Sequence, residues 1–257
     1  MGTVLTSTGV LVVFLMFITW LVSLRINDVS IIDAVWGTGF VLIAWTSWFL
    51  KTRSADAVLP AVLTTVWGLR LSAYLAWRNH GRPEDPRYAA MRRRHGKRFA
   101  ITSLMTVFAL QGAVMWMVSL PLQFSSKLHS DRGTVVLVGI LFWVTGLSFE
   151  AAADFQLARF RSRRSAPDEL LTSGLWRYTR HPNYFGDFCV WWGLFFSATG
   201  FGTPWWCIFS PILMSWLLMK VSGVALLESA LGSTKPGYTR YVKSTNAFFP
   251  WFPRTDG

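Results

Sequence analysis

Stretches of membrane length with almost no charge, separated by short clusters crowded with arginine, constrain this chain more than any other feature. A helix needs about 20 apolar residues to cross a bilayer core. Seven candidate spans fall at about residues 3–24, 30–50, 57–77, 101–123, 133–153, 184–202 and 204–226. Between them lie "RNHGRPEDPRYAAMRRRHGKR" and "RFRSRR". Only 15% of the 257 residues are charged and 52% are hydrophobic, against roughly 25% charged in soluble domains. The expected fold is all-α: one polytopic membrane domain over 1–257, a bundle of seven transmembrane helices. "TGFGTP" supplies the short turn between the last two.

The distribution of cations sets an orientation. Of the 25 basic residues, nineteen fall on one side of this topology. They are Arg25, eight from 78–98, six from 159–180 and four from the tail. The other side receives Lys51, Arg53, Lys127 and Arg132, while Arg70 and Lys220 fall inside spans. The positive-inside rule therefore puts the N-terminus outside and the C-terminus in the cytoplasm. It also accounts for the net charge of +12 without a nucleic-acid partner. The N-terminal run lacks a basic n-region and exceeds an h-region in length, so it reads as a retained helix. Cys189 and Cys207 lie in apolar segments as small core residues.

Charges inside spans cost at least about 2.5–3.5 kcal/mol at mid-helix on insertion scales, so each needs a partner or a task. Asp33 opens the second span; Arg70 and Tyr74 sit one turn apart on the third; Gln111 is in mid-fourth. Glu150 and Asp154 close the fifth, Asp187 opens the sixth, and Lys220 and Glu228 flank the end of the seventh. Most lie toward cytoplasmic helix ends, which predicts a polar cavity opening to the cytoplasm. The stretch "SGLWRYTRHPNYFGDF" forms its mouth. Pro182 suits the first turn of a helix whose free N–H groups favour phosphate. Arg177, Arg180 and His181 add cationic donors, with Arg159, Arg161, Arg163 and Arg164 upstream. Tyr178 and Tyr184 offer faces for stacking a ring, and Asn183 and Asp187 can hydrogen-bond an amide or ribose hydroxyl. Such a mouth suits a polyanionic nucleotide. Trp36, Phe40, Phe108 and Trp116 would line an apolar substrate cavity.

At these residues the chain resembles a known family. "GLWRYTRHPNYFGD", with "EAAADFQLARFR" before it and "VSGVALLESALGSTKPGYTRYVKSTNAFFPWFP" after it, is similar to the steroid 5α-reductase superfamily. The likeness is to its bacterial branch of uncharacterised, DUF1295-type membrane proteins and covers about residues 30 to 253. It implies an integral inner-membrane enzyme that uses NADPH to reduce a carbon–carbon double bond in a lipophilic substrate. By that resemblance the cofactor residues are Glu150, Asp154, Arg161, Tyr178, Arg180, His181, Asn183, Tyr184, Asp187, Tyr238 and Tyr241. Arg82, Asp85, Arg87 and Tyr88 of the "GRPEDPRY" loop add contacts to phosphates or adenine. The cofactor half is then about 78–257, facing the cytoplasm, and about 1–123 contributes the substrate cavity. No G-x-G-x-x-G follows a strand, so no Rossmann domain is expected.

One departure stands out. Steroid 5α-reductases polarise the substrate ketone with a Gln–Glu pair and a tyrosine; here the pair is missing and Trp67 aligns at the tyrosine's place. Asp33, Arg70 and Tyr74 are the nearest polar groups, and they are the expected catalytic residues. Trp36, Phe40, Trp67, Phe108, Gln111 and Trp116 are the expected substrate contacts. Hydride addition to one alkene carbon calls for a donor at the substrate oxygen and a proton for the other carbon.

Two other readings stand beside this one. Isoprenylcysteine carboxyl methyltransferases, which use S-adenosylmethionine, share the RHPxY and tail arrangement but carry two adjacent glutamates where this chain has Glu228. A non-catalytic lipid-binding membrane protein is the other. A membrane desaturase is excluded by its need for about eight clustered histidine ligands; only His80, His95, His129 and His181 occur, singly. No metal is expected, and the sequence is silent on oligomeric state.

Overall fold

The computed structural model describes residues 1–51, 57–126, 132–166, 168–221, 224, 228 and 237–254. Among them the secondary structure is helical, with no strand. The main helices are α1 (Gly2–Ile26), α2 (Ile31–Lys51), α3 (Leu59–Asn79), α4 (Pro86–His95), α5 (Phe99–Ser103), α6 (Leu110–Val118) and α7 (Leu120–Phe124). They continue as α8 (Gly133–Arg163), α9 (Pro182–Gly200), α10 (Phe209–Trp216) and α11 (Tyr238–Ser244). Five helical runs are long and apolar enough to cross a membrane: Gly2–Ile26, Ile31–Lys51, Leu59–Asn79, Pro86–Val118 and Gly133–Arg163. This is the make-up of an integral membrane protein.

The expected spans match these helices to within a turn at most ends, with four differences. The stretch 78–98, expected as a loop, is helical from Pro86 onward and runs on into the fourth span. Asp85 caps it, its carboxylate accepting from the Arg87 amide at 2.9 Å, and Pro86 sits at the first position, where no amide is needed. The fifth span likewise continues past its apolar part to Arg163. The sixth, α9, has the length of a span, but Asn183, Tyr184 and Asp187 dilute its apolar character, and it is not among the five. The seventh is represented by the shorter apolar run Trp205–Val221; of its expected remainder, 222–226, only Val224 is described. Arg53, Lys127, His129 and the tail stretch 229–236 also lie outside the described residues.

The chain divides into two compact units, Met1–Val136 with Ser197–Ser210, and Leu137–Phe196 with Pro211–Gly257. In the first unit α1 buries a single stripe, Val4, Thr8, Val12, Met16, Thr19 and Ser23, recurring every three or four residues. It ends at Asn27, whose left-handed conformation (φ 55°) lets its amide reach Ser23 O. Helices α2 and α3 meet backbone to backbone. A Cβ on Gly37 would lie 2.0 Å from Gly68 O, and one on Gly68 would lie 2.6 Å from Gly37 O, so only glycine fits either position. Ser72 Oγ accepts from Thr38 N at 2.8 Å beside that crossing. A buried polar knot ties α1 to α6 and α7. Thr8 Oγ1 donates to Gln123 Oε1 (2.7 Å), Trp116 Nε1 to Thr8 Oγ1 (3.2 Å), and Gln123 Nε2 to Ser119 Oγ (2.8 Å). With its partners filled, Gln123 sits fully buried at little cost. The "TGFGTP" turn forms as expected, with Gly202 at φ 85° and Thr203 Oγ1 donating to Pro121 O at 2.7 Å.

In the second unit α8 and α9 pack along glycines spaced seven apart. A Cβ on Gly186 would lie 2.5 Å from Glu150 N and 2.7 Å from Gly146 O; one on Gly193 would lie 2.5 Å from Trp143 N and 2.7 Å from Gly139 O. Gly146 faces Gly186 while Gly139 faces Gly193, so the helices run antiparallel. The seven-residue spacing keeps the seam on one face of each. This seam brings the end of α8 beside the beginning of α9.

Candidate functional site

The start of α9 is held by the chain on both sides of it. The tight turn Gly174–Arg177 begins at a glycine with φ +63°, where a Cβ would strike Gln156 Oε1 at 2.6 Å. That same oxygen accepts from Leu175 N at 3.0 Å, so α8 pins the turn. From there to His181 the backbone pairs with the C-terminal segment. Arg180 N donates to Asn246 O (2.9 Å), Trp251 N to Tyr178 O (2.9 Å), and Thr179 Oγ1 to Phe248 O (2.8 Å). Tyr241 adds a hydrogen bond from its hydroxyl to Trp176 O.

Arg180 faces inward. Its guanidinium donates to Glu228 Oε1 from Nε (2.8 Å) and Nη2 (2.6 Å), and from Nη1 to the carbonyls of Val242 (3.1 Å) and Thr245. It thereby neutralises Glu228 and caps the last turn of α11, where carbonyls lack helical partners. His181 Nε2 lies 3.3 Å from the same carboxylate oxygen, and its ring stacks on Tyr184 at 5.7 Å. Burial pushes the His181 imidazole down to about 4, against the opposing pull of Glu228, so it is neutral at physiological pH and donates from Nε2. Burial likewise raises the hydroxyls of Tyr238 and Tyr241 above the usual tyrosine value.

In the first turn of α9, Asn183 Nδ2 approaches Asp154 Oδ1 at 3.5 Å. Asp154 and Glu150 are buried, at 5% and 3% exposure, while Asp187 is half-buried. Arg161, Arg177 and Tyr178 are exposed on the same unit. Eleven of the fifteen residues expected around a nucleotide thus belong to one unit. Arg180, His181, Tyr238 and Tyr241 hold the scaffold, whereas Arg177, Tyr178 and the exposed end of α8 present cations and a ring outward. That outward set is chemically suited to a pyrophosphate and an aromatic base.

The four "GRPEDPRY" residues belong to the first unit, with Asp33. Asp85 pairs with Arg87 through Nε at 2.8 Å and Nη2 at 3.1 Å, which holds its carboxyl below the usual carboxylate value. Arg87 lies 5.5 Å from the centre of the Tyr88 ring. Asp33 shares this neighbourhood: Arg87 and Arg78 are the cations acting on it most strongly, and Tyr88 feels its charge. Trp36 Nε1 donates to Gln111 Oε1, and Gln111 Nε2 donates to Tyr88 Oη at 3.2 Å. An indole can only donate, so Trp36 fixes the amide and leaves the Tyr88 hydroxyl as acceptor. Arg70 and Arg78 flank the Tyr74 ring at 5.5 and 6.0 Å. Of the expected apolar lining, Phe40, Trp67 and Phe108 are fully buried core residues, and Trp116 is part of the knot with Thr8.

Glu84 escaped the sequence reading. It accepts from Arg92 Nε (3.0 Å) and Nη2 (2.7 Å) and from Val29 N (2.9 Å), joining α4 to the turn before α2. The Arg92 pair holds its carboxyl below the usual value against burial. The signal was a pair of acids in an otherwise basic stretch.

The family model described as Protein of unknown function (DUF1295) matches residues 19–245. No curated protein and no solved structure matches the chain. Among the described residues no cluster of metal-ligand type occurs.

Proposed function

The chain belongs to the DUF1295 family, and from that premise we propose that it is an NADPH-dependent membrane reductase acting on a carbon–carbon double bond in a lipophilic substrate. The proposal extends to kinship with the steroid 5α-reductase superfamily. It includes a seven-span topology with the N-terminus outside, and an inner-membrane setting with the nucleotide residues facing the cytoplasm. The observation that carries it is the polar head of α9. There an amide–carboxylate pair, Asn183 with Asp154, and the buried Glu150 lie at the start of an apolar helix, and the turn before that helix exposes Arg177 and Tyr178.

When bound, NADPH supplies a hydride. In the second unit Arg161 and Arg177 neutralise phosphates, and Tyr178 and Tyr184 stack on a ring. Glu150, Asp154, Asn183 and Asp187 hydrogen-bond amide and ribose groups. Arg180, His181, Tyr238 and Tyr241 keep those donors in place. In the first unit Arg82, Asp85, Arg87 and Tyr88 add polar contacts. Asp33, Arg70 and Tyr74 are the candidates for holding a substrate oxygen and delivering a proton. Trp36, Phe40, Trp67, Phe108, Gln111 and Trp116 supply the surrounding polar and apolar frame.

Ligand-dependent thermal unfolding of the purified protein tests the reading. At a hundredfold excess over Kd, a ligand specific to the folded state adds about 2.7 kcal/mol. NADPH is expected to raise the unfolding temperature. An upshift with S-adenosylmethionine and none with either pyridine dinucleotide overturns the proposal and supports the methyltransferase.

A further inference from the structure

After α11 the chain does not trail away. Residues Thr245–Arg254 form an irregular loop fixed by its backbone: Asn246 O, Phe248 O and Trp251 N bond to the 178–180 segment, and Arg254 N donates to Ser244 O at 2.9 Å. This rigid loop has two sides. Phe248 is buried, its ring 5.7 Å from Phe188. Opposite it, Phe249, Trp251 and Phe252 are 55, 68 and 75% exposed, with Tyr178 beside Phe252 at 6.2 Å.

Three large rings held outward by a fixed backbone make an apolar patch that calls for a cover. Two observations identify it. The Phe249 ring also lies 5.8 Å from Phe188 and 6.2 Å from Phe185, on the first two turns of α9. The patch therefore sits at the level where α9 begins its apolar course, which on a membrane helix is the approach to the headgroups. The residues around it are cationic: Arg177 and Lys243 are exposed, and Arg254 closes the loop. Rings at the boundary and cations beside them match an anionic bilayer surface.

We propose that Phe249–Arg254 is an interfacial anchor. Phe249, Trp251 and Phe252 insert among lipid headgroups and upper acyl chains, while Lys243 and Arg254 meet anionic phosphates. Because this loop and residues 178–180 share their backbone hydrogen bonds, the bilayer surface steadies the head of α9. The inference does not depend on which ligand that helix serves.

The test uses the full chain in lipid nanodiscs. Phe252→Cys carries an environment-sensitive fluorophore, and Ser165→Cys, exposed on the same unit, serves as reference; the two native cysteines are buried. Brominated acyl chains are expected to quench the label at 252 severalfold more than at 165, with blue-shifted emission. The difference should be larger in phosphatidylglycerol than in phosphatidylcholine discs. Lys243→Ala with Arg254→Ala should remove that lipid dependence. Water-like emission at 252, without quenching, overturns the proposal. So does blue-shifted emission that bromine leaves untouched and that depends on copies per disc, which would mark a second chain as the cover.

Discussion

Arg180 and Glu228 form an ion pair in which two guanidinium nitrogens donate to one carboxylate oxygen, at 2.8 and 2.6 Å. The arginine side chain is 7% exposed and the glutamate 26%. Three further things depend on this contact: the capped end of α11, the position of His181 and the path of the C-terminal loop.

Replacing Arg180 with Ala leaves Glu228 with His181 alone and takes the guanidinium from the carbonyls of Val242 and Thr245. Breaking one side of a buried pair costs about 3–5 kcal/mol, and the partial exposure of Glu228 favours the lower end. Thermal unfolding in detergent should show a large downward shift. A change within the scatter of surface substitutions would mean that the pair contributes little.

Gly186→Ala puts a methyl group 2.5 Å from one backbone atom and 2.7 Å from another, none of which can rotate away. Helices α8 and α9 must separate, at a cost of about 1–3 kcal/mol. Gly133→Ala, where a Cβ meets nothing within 4 Å, is the control and should be neutral or slightly stabilising. Equal unfolding temperatures for the two variants would refute the seam.

His181 predicts an acid limb of the stability curve. Its folded-state value, about 4, lies below the ordinary 6.5. The unfolded chain therefore takes up a proton first as pH falls. Stability contributed by the neutral ring is complete above pH 6.5, declines between 6.5 and 4, and is lost below. The shift sets an upper bound of about 3 kcal/mol. Comparing unfolding at pH 7.5 and 4.5 for the parent and His181→Gln isolates it: the parent should lose more.

Asp33→Asn keeps size and removes the acid. If Asp33 delivers the proton, turnover should fall by about 10²–10⁴-fold, with the thermal upshift by NADPH unchanged. Full turnover in Asp33→Asn and in Tyr74→Phe would move the proton donor elsewhere. Loss of the NADPH upshift itself would indict the nucleotide reading instead.

Gln111→Leu strands the Trp36 indole and removes a donor from Tyr88. A buried donor left unmet costs about 1–3 kcal/mol. Gln111→Glu offers the indole an acceptor but puts a carboxyl in mid-span, at a cost of at least about 2.5–3.5 kcal/mol. It should therefore be no more stable than Gln111→Leu in the same unfolding assay.

Hydropathy alone located the five span-length helices, because a bilayer demands length and apolarity whatever the fold around it. It also made the 173–196 stretch stand out, since polar residues at the head of an apolar segment are costly unless they have a task. The charged helix Pro86–His95 was hidden, because a run of arginines reads as a loop until its cap and its proline are seen together.

What only tertiary structure decided is which polar groups answer one another. Arg180 and Arg177 look alike in the sequence, three residues apart in one motif, yet one is buried against Glu228 and the other exposed. Glu84 finds Val29, and Gln111 finds Trp36 and Tyr88, across tens of residues. Membrane insertion follows from composition and is read locally. Hydrogen bonds and ion pairs act over about 3 Å, so their partners are set by how helices cross, and glycines such as Gly146 and Gly186 decide that.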